Sequence, residues 1–101
     1  MSIAACGVPK TAAAPGALSP HQVTAATKRW PDTSSTELAT GRATLIARCN
    51  HCHGYPDLDA VADDRWPGIL ERMGRNAALD PAQVRAVLRF VRAARARPGG
   101  T

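Results

Sequence analysis

The octapeptide RCNHCHGY, residues 48–55, puts two cysteines and two histidines into five consecutive positions. Cys49, His51, Cys52 and His53 can each bind a metal or react as a nucleophile. So dense a cluster can converge on one centre in only a few geometries. The chemistry it serves therefore constrains the fold more than any other stretch, and the remaining sequence has to identify that chemistry.

Little else is available to build a core. The chain has 101 residues, of which the first third reads as a tether. The roughly 65 residues left make a purely apolar core marginal. Its rings are Trp30, Tyr55, Trp66 and Phe90 alone. A large buried group would supply the missing bulk. The net charge of +5 is carried mainly by arginine. The arginines spread along helix-like segments and do not alternate with aromatics, so nucleic acid is not the expected partner. No run of 18 apolar residues is present to span a membrane.

Residues 1–33 are expected to lie outside the folded domain. IAACG, residues 3–7, is similar to the cleavage box of bacterial lipoproteins, which implies lipidation of Cys6; the charged and long apolar parts of a secretion signal do not precede it. Residues 7–33 are rich in Ala, Pro, Thr and Gly and show no sustained period, which predicts a disordered tether. Trp30, before Pro31, is the first residue expected to touch the fold.

Residues 34–101 read as the domain, built from three helices. The first starts at Ser34, with Glu37 at capping-box spacing, and carries Leu38, Gly41, Leu45, Ile46 and Cys49 on one side. The second starts near Asp63 or Asp64, has Pro67 in its first turn, and aligns Trp66, Ile69, Leu70 and Met73 in one stripe; Gly74 is expected to stop or bend it. The third begins with Asp80, Pro81 and Gln83, with Leu79 and Val84 spaced as a hydrophobic staple. Val84, Val87, Leu88 and Val91 are its expected inner face, and Arg85, Arg89 and Arg92 its outer one. No β alternation and no internal repeat are visible.

Three chemistries fit the cluster. A structural zinc site usually takes its four ligands as two separated pairs, and outside the cluster only Cys6 and His21 remain, both in the tether. A thioredoxin-like dithiol sits at a helix N-terminus after a strand, whereas this pair ends a helix. The third is C-x-x-C-H, the attachment signature of c-type haem. Cys49 and Cys52 would add their thiols to the two porphyrin vinyl groups, and His53 would be held beneath the iron as proximal ligand.

Together with the helix carrying Gly41, the stretch RWPGILERM and the last helix, CNHCH resembles the small class I cytochrome c family over residues 34–97. The resemblance implies an all-α, three-helix fold around one covalent haem c, with the first and last helices crossing at Gly41 opposite Phe90 or Val91. It implies Met73 as the distal iron ligand. It also implies that the carbonyl of Pro56 accepts the second N–H of His53, orienting the ring. Trp66 is expected either to pack at the haem edge, offering its indole N–H to a propionate, or to be plain core.

The function this implies is single-electron transfer through an exposed haem edge, without catalysis. Partners would be redox proteins with acidic docking surfaces, facing arginines near the haem. Haem attachment takes place outside the bacterial cytoplasm, so the expected location is the periplasmic side, membrane-anchored only through Cys6. Two other readings stay open: a haem peroxidase or gas sensor, if Met73 is only core, and an electron-transfer subunit of a larger oxidoreductase.

Overall fold

The computed structural model of the protein describes residues 10, 11, 13–48 and 54–95. Four α-helices account for most of them: α1 (Pro20–Arg29), α2 (Ser35–Arg48), α3 (Trp66–Ala77) and α4 (Pro81–Arg95). A two-residue ladder joins β1 (Lys10–Thr11) to β2 (Tyr55–Pro56), and a 3-10 turn, Asp63–Arg65, leads into α3. The described residues are thus all-α in class, with one helix more than the sequence reading counted.

The extra helix is α1, in the segment expected to be a disordered tether. Its start and that of α4 use one device. Asp80 Oδ1 accepts the Gln83 backbone N–H at 2.8 Å, and Gln83 Oε1 accepts the Asp80 N–H at 2.9 Å. Ser19 Oγ accepts the Gln22 N–H at 3.1 Å, and Gln22 Oε1 accepts the Ser19 N–H at 2.9 Å. In both, a proline fills the first helical position, where no intrahelical N–H bond is required. DPAQ and SPHQ are the same signal. The second is easy to overlook because α1 has a weak apolar face: Ala26 is its one buried residue, flanked by half-buried Val23 and Trp30.

Contact with the domain begins well before Trp30. Lys10 and Thr11 pair antiparallel with Pro56 and Tyr55. Arg42 Nε donates to Pro15 O at 2.9 Å, and Gln22 Nε2 to Ala94 O at 3.3 Å. Ala26 packs with Leu38 and Ala93, and Leu18 packs against both this cluster and the main core. The segment is a strap laid on the domain.

Half of the expected capping box forms at the start of α2: the Glu37 N–H donates to Ser34 Oγ at 3.1 Å, but the Glu37 carboxylate does not return to the Ser34 N–H. The Glu37 carboxylate then reaches α4, lying 3.2 Å from Arg85 Nε and 3.5 Å from Arg89 Nη1. Leu38, Gly41 and Leu45 are buried. A Cβ on Gly41 would overlap the Ala86 carbonyl oxygen and stand 3.1 Å from Phe90 Cβ. The crossing therefore needs glycine at this point, and Phe90, not Val91, is the side chain beside it.

The main core joins Leu45, Val61, Trp66, Ile69, Leu70, Met73, Val87, Phe90 and Val91. Trp66 and Phe90 in this core, and Leu38 in the smaller cluster with Ala26 and Ala93, are among the largest fully buried side chains. Neither Asp63 nor Asp64 caps α3 through its side chain; Asp63 lies instead 3.3 Å from Arg92 Nε and 3.8 Å from Arg95 Nε. Gly74 does not stop α3. It is buried within the helix, with Val84 Cγ2 2.7 Å and Leu79 Cβ 3.8 Å from where its Cβ would be. The stop comes at Ala78, in the left-handed region (φ 59°, ψ 41°), where Leu79 N–H donates to Gly74 O at 2.8 Å and Ala78 N–H to Arg75 O at 3.4 Å. That is a Schellman closure with alanine where glycine is usual.

The expected solvated arginine face of α4 is also revised. Arg85 is exposed, but Arg89 and Arg92 are largely covered. Arg89 Nη1 donates to buried Thr33 Oγ1, lies 3.1 Å from Asp32 Oδ1, and its guanidinium is 5.7 Å from the Trp30 ring centre. These arginines bind the turns on either side of the helix to it.

Candidate functional site

Cys49, Cys52 and His53, with His51 and Cys6, lie outside the described residues. What flanks the motif is described. α2 ends at Arg48, the residue before Cys49. Gly54, the residue after His53, has φ 133°, a backbone state that glycine adopts without strain.

Arg48 fixes the near side. Its Nη2 donates to the carbonyl of Ala77, the last residue of α3. A helix end leaves its last carbonyls without intrahelical partners, and an arginine is well suited to satisfy one. The consequence is spatial. Through its side chain Arg48 links the end of α2 to the end of α3, four residues beyond Met73.

Met73 is 5% exposed and belongs to the main core cluster. Trp66 lies two turns earlier on the same stripe, about 10 Å along the axis, and is fully buried. Its indole Nε1 has no hydrogen-bond partner among the described residues. A buried donor left unpaired costs roughly 1–3 kcal/mol. Pro56 is fully buried too, held in the ladder with Lys10 three residues after His53. His21 is exposed on α1, and Tyr55 is half-buried. Arg65, Arg72 and Arg75 are exposed along the start and outer side of α3.

These observations bear on whether a haem fits this chain. A thioether and an unpartnered indole N–H share one buried stripe of α3. A soft sulfur donor and an N–H aimed at an acceptor are groups that c-type haem can use, one at iron and one at a propionate. The residues present fit the group. Among the described residues no three His, Cys, Asp or Glu side chains come together to hold a metal ion. Sequence reasoning missed the Arg48–Ala77 link, because nothing in local spacing reports a hydrogen bond across 29 residues.

The described fold is therefore that of a small all-α domain. No protein-family model, curated protein or solved structure matches the chain. Among the described residues no helix is long and apolar enough to cross a membrane.

Proposed function

We propose that the protein is a single-electron carrier with one covalent haem c. Cys49 and Cys52 would carry the thioether links, and His53 and Met73 would be the residues that hold the iron. The observation that most supports this is the Arg48–Ala77 hydrogen bond, which ties the helix leading toward the C-x-x-C-H segment to the helix that carries buried Met73. When bound, the haem supplies a one-electron couple, and His/Met ligation raises its potential.

The chain's own residues do the rest. Pro56, buried beside the motif, offers a carbonyl to orient His53. The unpartnered indole N–H of Trp66 would be available to a propionate. Leu45, Ile69, Leu70 and Val87 keep water from the centre, which also favours the less charged reduced state. Arg48, Arg72 and Arg75 give the approach a positive field suited to an acidic redox protein, free or as part of a larger oxidoreductase. The proposed location is the periplasmic side, with Cys6 as a lipid anchor.

A second reading follows from the packing of Met73 among Ile69, Leu70 and Val87, where a methionine also serves as ordinary core. An iron without a sixth protein ligand would suit a peroxidase or gas sensor. The test is expression with a working cytochrome c maturation system, followed by denaturing mass spectrometry and absorption spectroscopy. The expected result is a mass increase of one haem that survives denaturation, with a six-coordinate spectrum. A chain emerging without haem would overturn the proposal; a five-coordinate spectrum would favour the second reading.

A further inference from the structure

The approach from the motif to α3 is held by one side chain from the far end of the molecule. Inside the loop, Ala60 N–H donates to Asp57 O and Asp59 N–H to Asp57 Oδ1, both at 3.2 Å. Arg95, in the last turn of α4, then reaches back across the loop. Its Nη1 donates to Leu58 O at 2.9 Å and to Val61 O at 2.6 Å. Its Nε is 3.8 Å from Asp63 Oδ1, and the other oxygen of that carboxylate is 3.3 Å from Arg92 Nε. Leu58, Val61 and Asp63 together span the whole path from β2 to the 3-10 turn that opens α3.

The placement is informative because nearer partners exist. An arginine in the last turn of a helix commonly satisfies that helix's own terminal carbonyls. Arg95 gives Nη1 instead to two loop carbonyls more than thirty residues away in sequence. The loop carries Val61, which is buried and packs in the same cluster as Trp66 and Met73. Displacing Val61 displaces part of the wall that holds both. The 3-10 turn beyond it has no side-chain cap of its own, and Asp63 adds ion pairs to Arg92 and Arg95 beside the packing of Trp66 and Ile69 against α4.

We infer that Arg95 is a positioning residue for Met73: by fixing Leu58, Val61 and Asp63 it holds α3 in the placement that keeps the thioether at the sixth position. The inference rests on the haem reading proposed above. The planar guanidinium is essential to it, because one fork spans two carbonyls and a carboxylate, whereas a lysine ammonium would act as a point charge at one of them.

The test uses the matured protein and compares wild type with Arg95→Gln, Arg95→Lys and, as a control, Arg85→Gln, whose side chain is exposed and pairs with Glu37 away from the loop. Haem content is measured first. The rate at which added imidazole displaces the sixth ligand is then followed by absorption, alongside the midpoint potential and amide exchange at Ala60 and Arg65. Arg95→Gln is expected to carry a full complement of haem yet be displaced about tenfold faster or more, the scale of losing a charged hydrogen bond. Its potential falls, Arg95→Lys lies between it and wild type, and Arg85→Gln matches wild type. Wild-type displacement rate and potential in Arg95→Gln would overturn the inference. If Arg95→Gln does not fold, Arg95→Lys decides, and a wild-type rate in that variant overturns it equally. A wild-type protein without haem would fail the functional reading and this inference with it. Exchange at Ala60 and Arg65 would still show separately whether Arg95 holds the loop.

Discussion

Gly41 lies against the backbone of Ala86, so close that its missing Cβ would overlap the Ala86 carbonyl. The obstacle is main chain, which cannot rotate aside as a side chain can. Gly41→Ala should therefore cost about 1–3 kcal/mol by forcing α2 and α4 apart, although alanine is the better helix former. Urea denaturation should show a lower midpoint. A midpoint at or above wild type would mean that the two helices are not in contact at this crossing.

Ala78 ends α3 at φ 59°. An L-residue held there carries a strain of roughly 1–2 kcal/mol that glycine relieves, at some cost in unfolded-chain entropy. Ala78→Gly should stabilise the protein by about 0.5–1 kcal/mol, read as a higher melting temperature. Destabilisation would show that the helix does not close by a left-handed residue at this position.

Ser19→Ala removes the side-chain acceptor at the start of α1 and should cost about 1 kcal/mol. The loss should be local. Amide exchange over 20–29 should speed up while α4 keeps its protection. Rapid exchange through 20–29 in the wild type would mean that this segment is not a stable helix in solution.

Met73→Ala leaves a space in the core worth about 2–5 kcal/mol. Under the proposed function it should also open the sixth position to water, lower the midpoint potential and admit weak peroxidase activity. Met73→His should stay six-coordinate at a lower potential. Loss of stability with an unchanged spectrum and potential would assign Met73 to the core alone.

Of the arginines in the proposed docking field, Arg48, Arg72 and Arg75, the first is half-buried and the other two are exposed on α3. Electron transfer to an acidic partner should slow as ionic strength rises from about 0.01 to 0.15 M, over which the screening length falls from about 30 to 8 Å. The triple change to glutamine should flatten that dependence. A wild-type rate independent of salt would remove electrostatic docking.

Local signals were readable in the sequence, and long-range ones were not. The Asp80 and Ser34 caps and the Trp66–Ile69–Leu70–Met73 stripe each depend on residues within a turn or two of one another, and all three are present, whereas the Gly41 contact with Ala86 joins distant helices and was expected only from the family resemblance. α1 escaped notice because its buried face is largely Ala26, whose side chain gives almost no apolar periodicity. Gly74 was expected to stop or bend the helix, but it lies within α3 and answers to Val84 on the next helix. The arginines of α4 looked like a solvated face since their partners, Thr33, Asp32, Asp63 and two loop carbonyls, are brought in only by the tertiary fold. Of the candidate site, Met73, Trp66 and Pro56 are buried, whereas the cysteines and His53 lie outside the described residues.

The pairing of Lys10–Thr11 with Tyr55–Pro56 changes the mechanics of whatever is joined to the chain at Cys6. A free segment from Cys6 to Trp30 would act as a long leash, letting the domain sample a wide volume and any orientation. Docked from Lys10 onward, the chain leaves only four residue steps, at most roughly 14 Å when fully extended. An attachment there would behave as a short hinge mounted beside the loop that follows His53. It would govern which side of the domain faces outward more than how far the domain can travel.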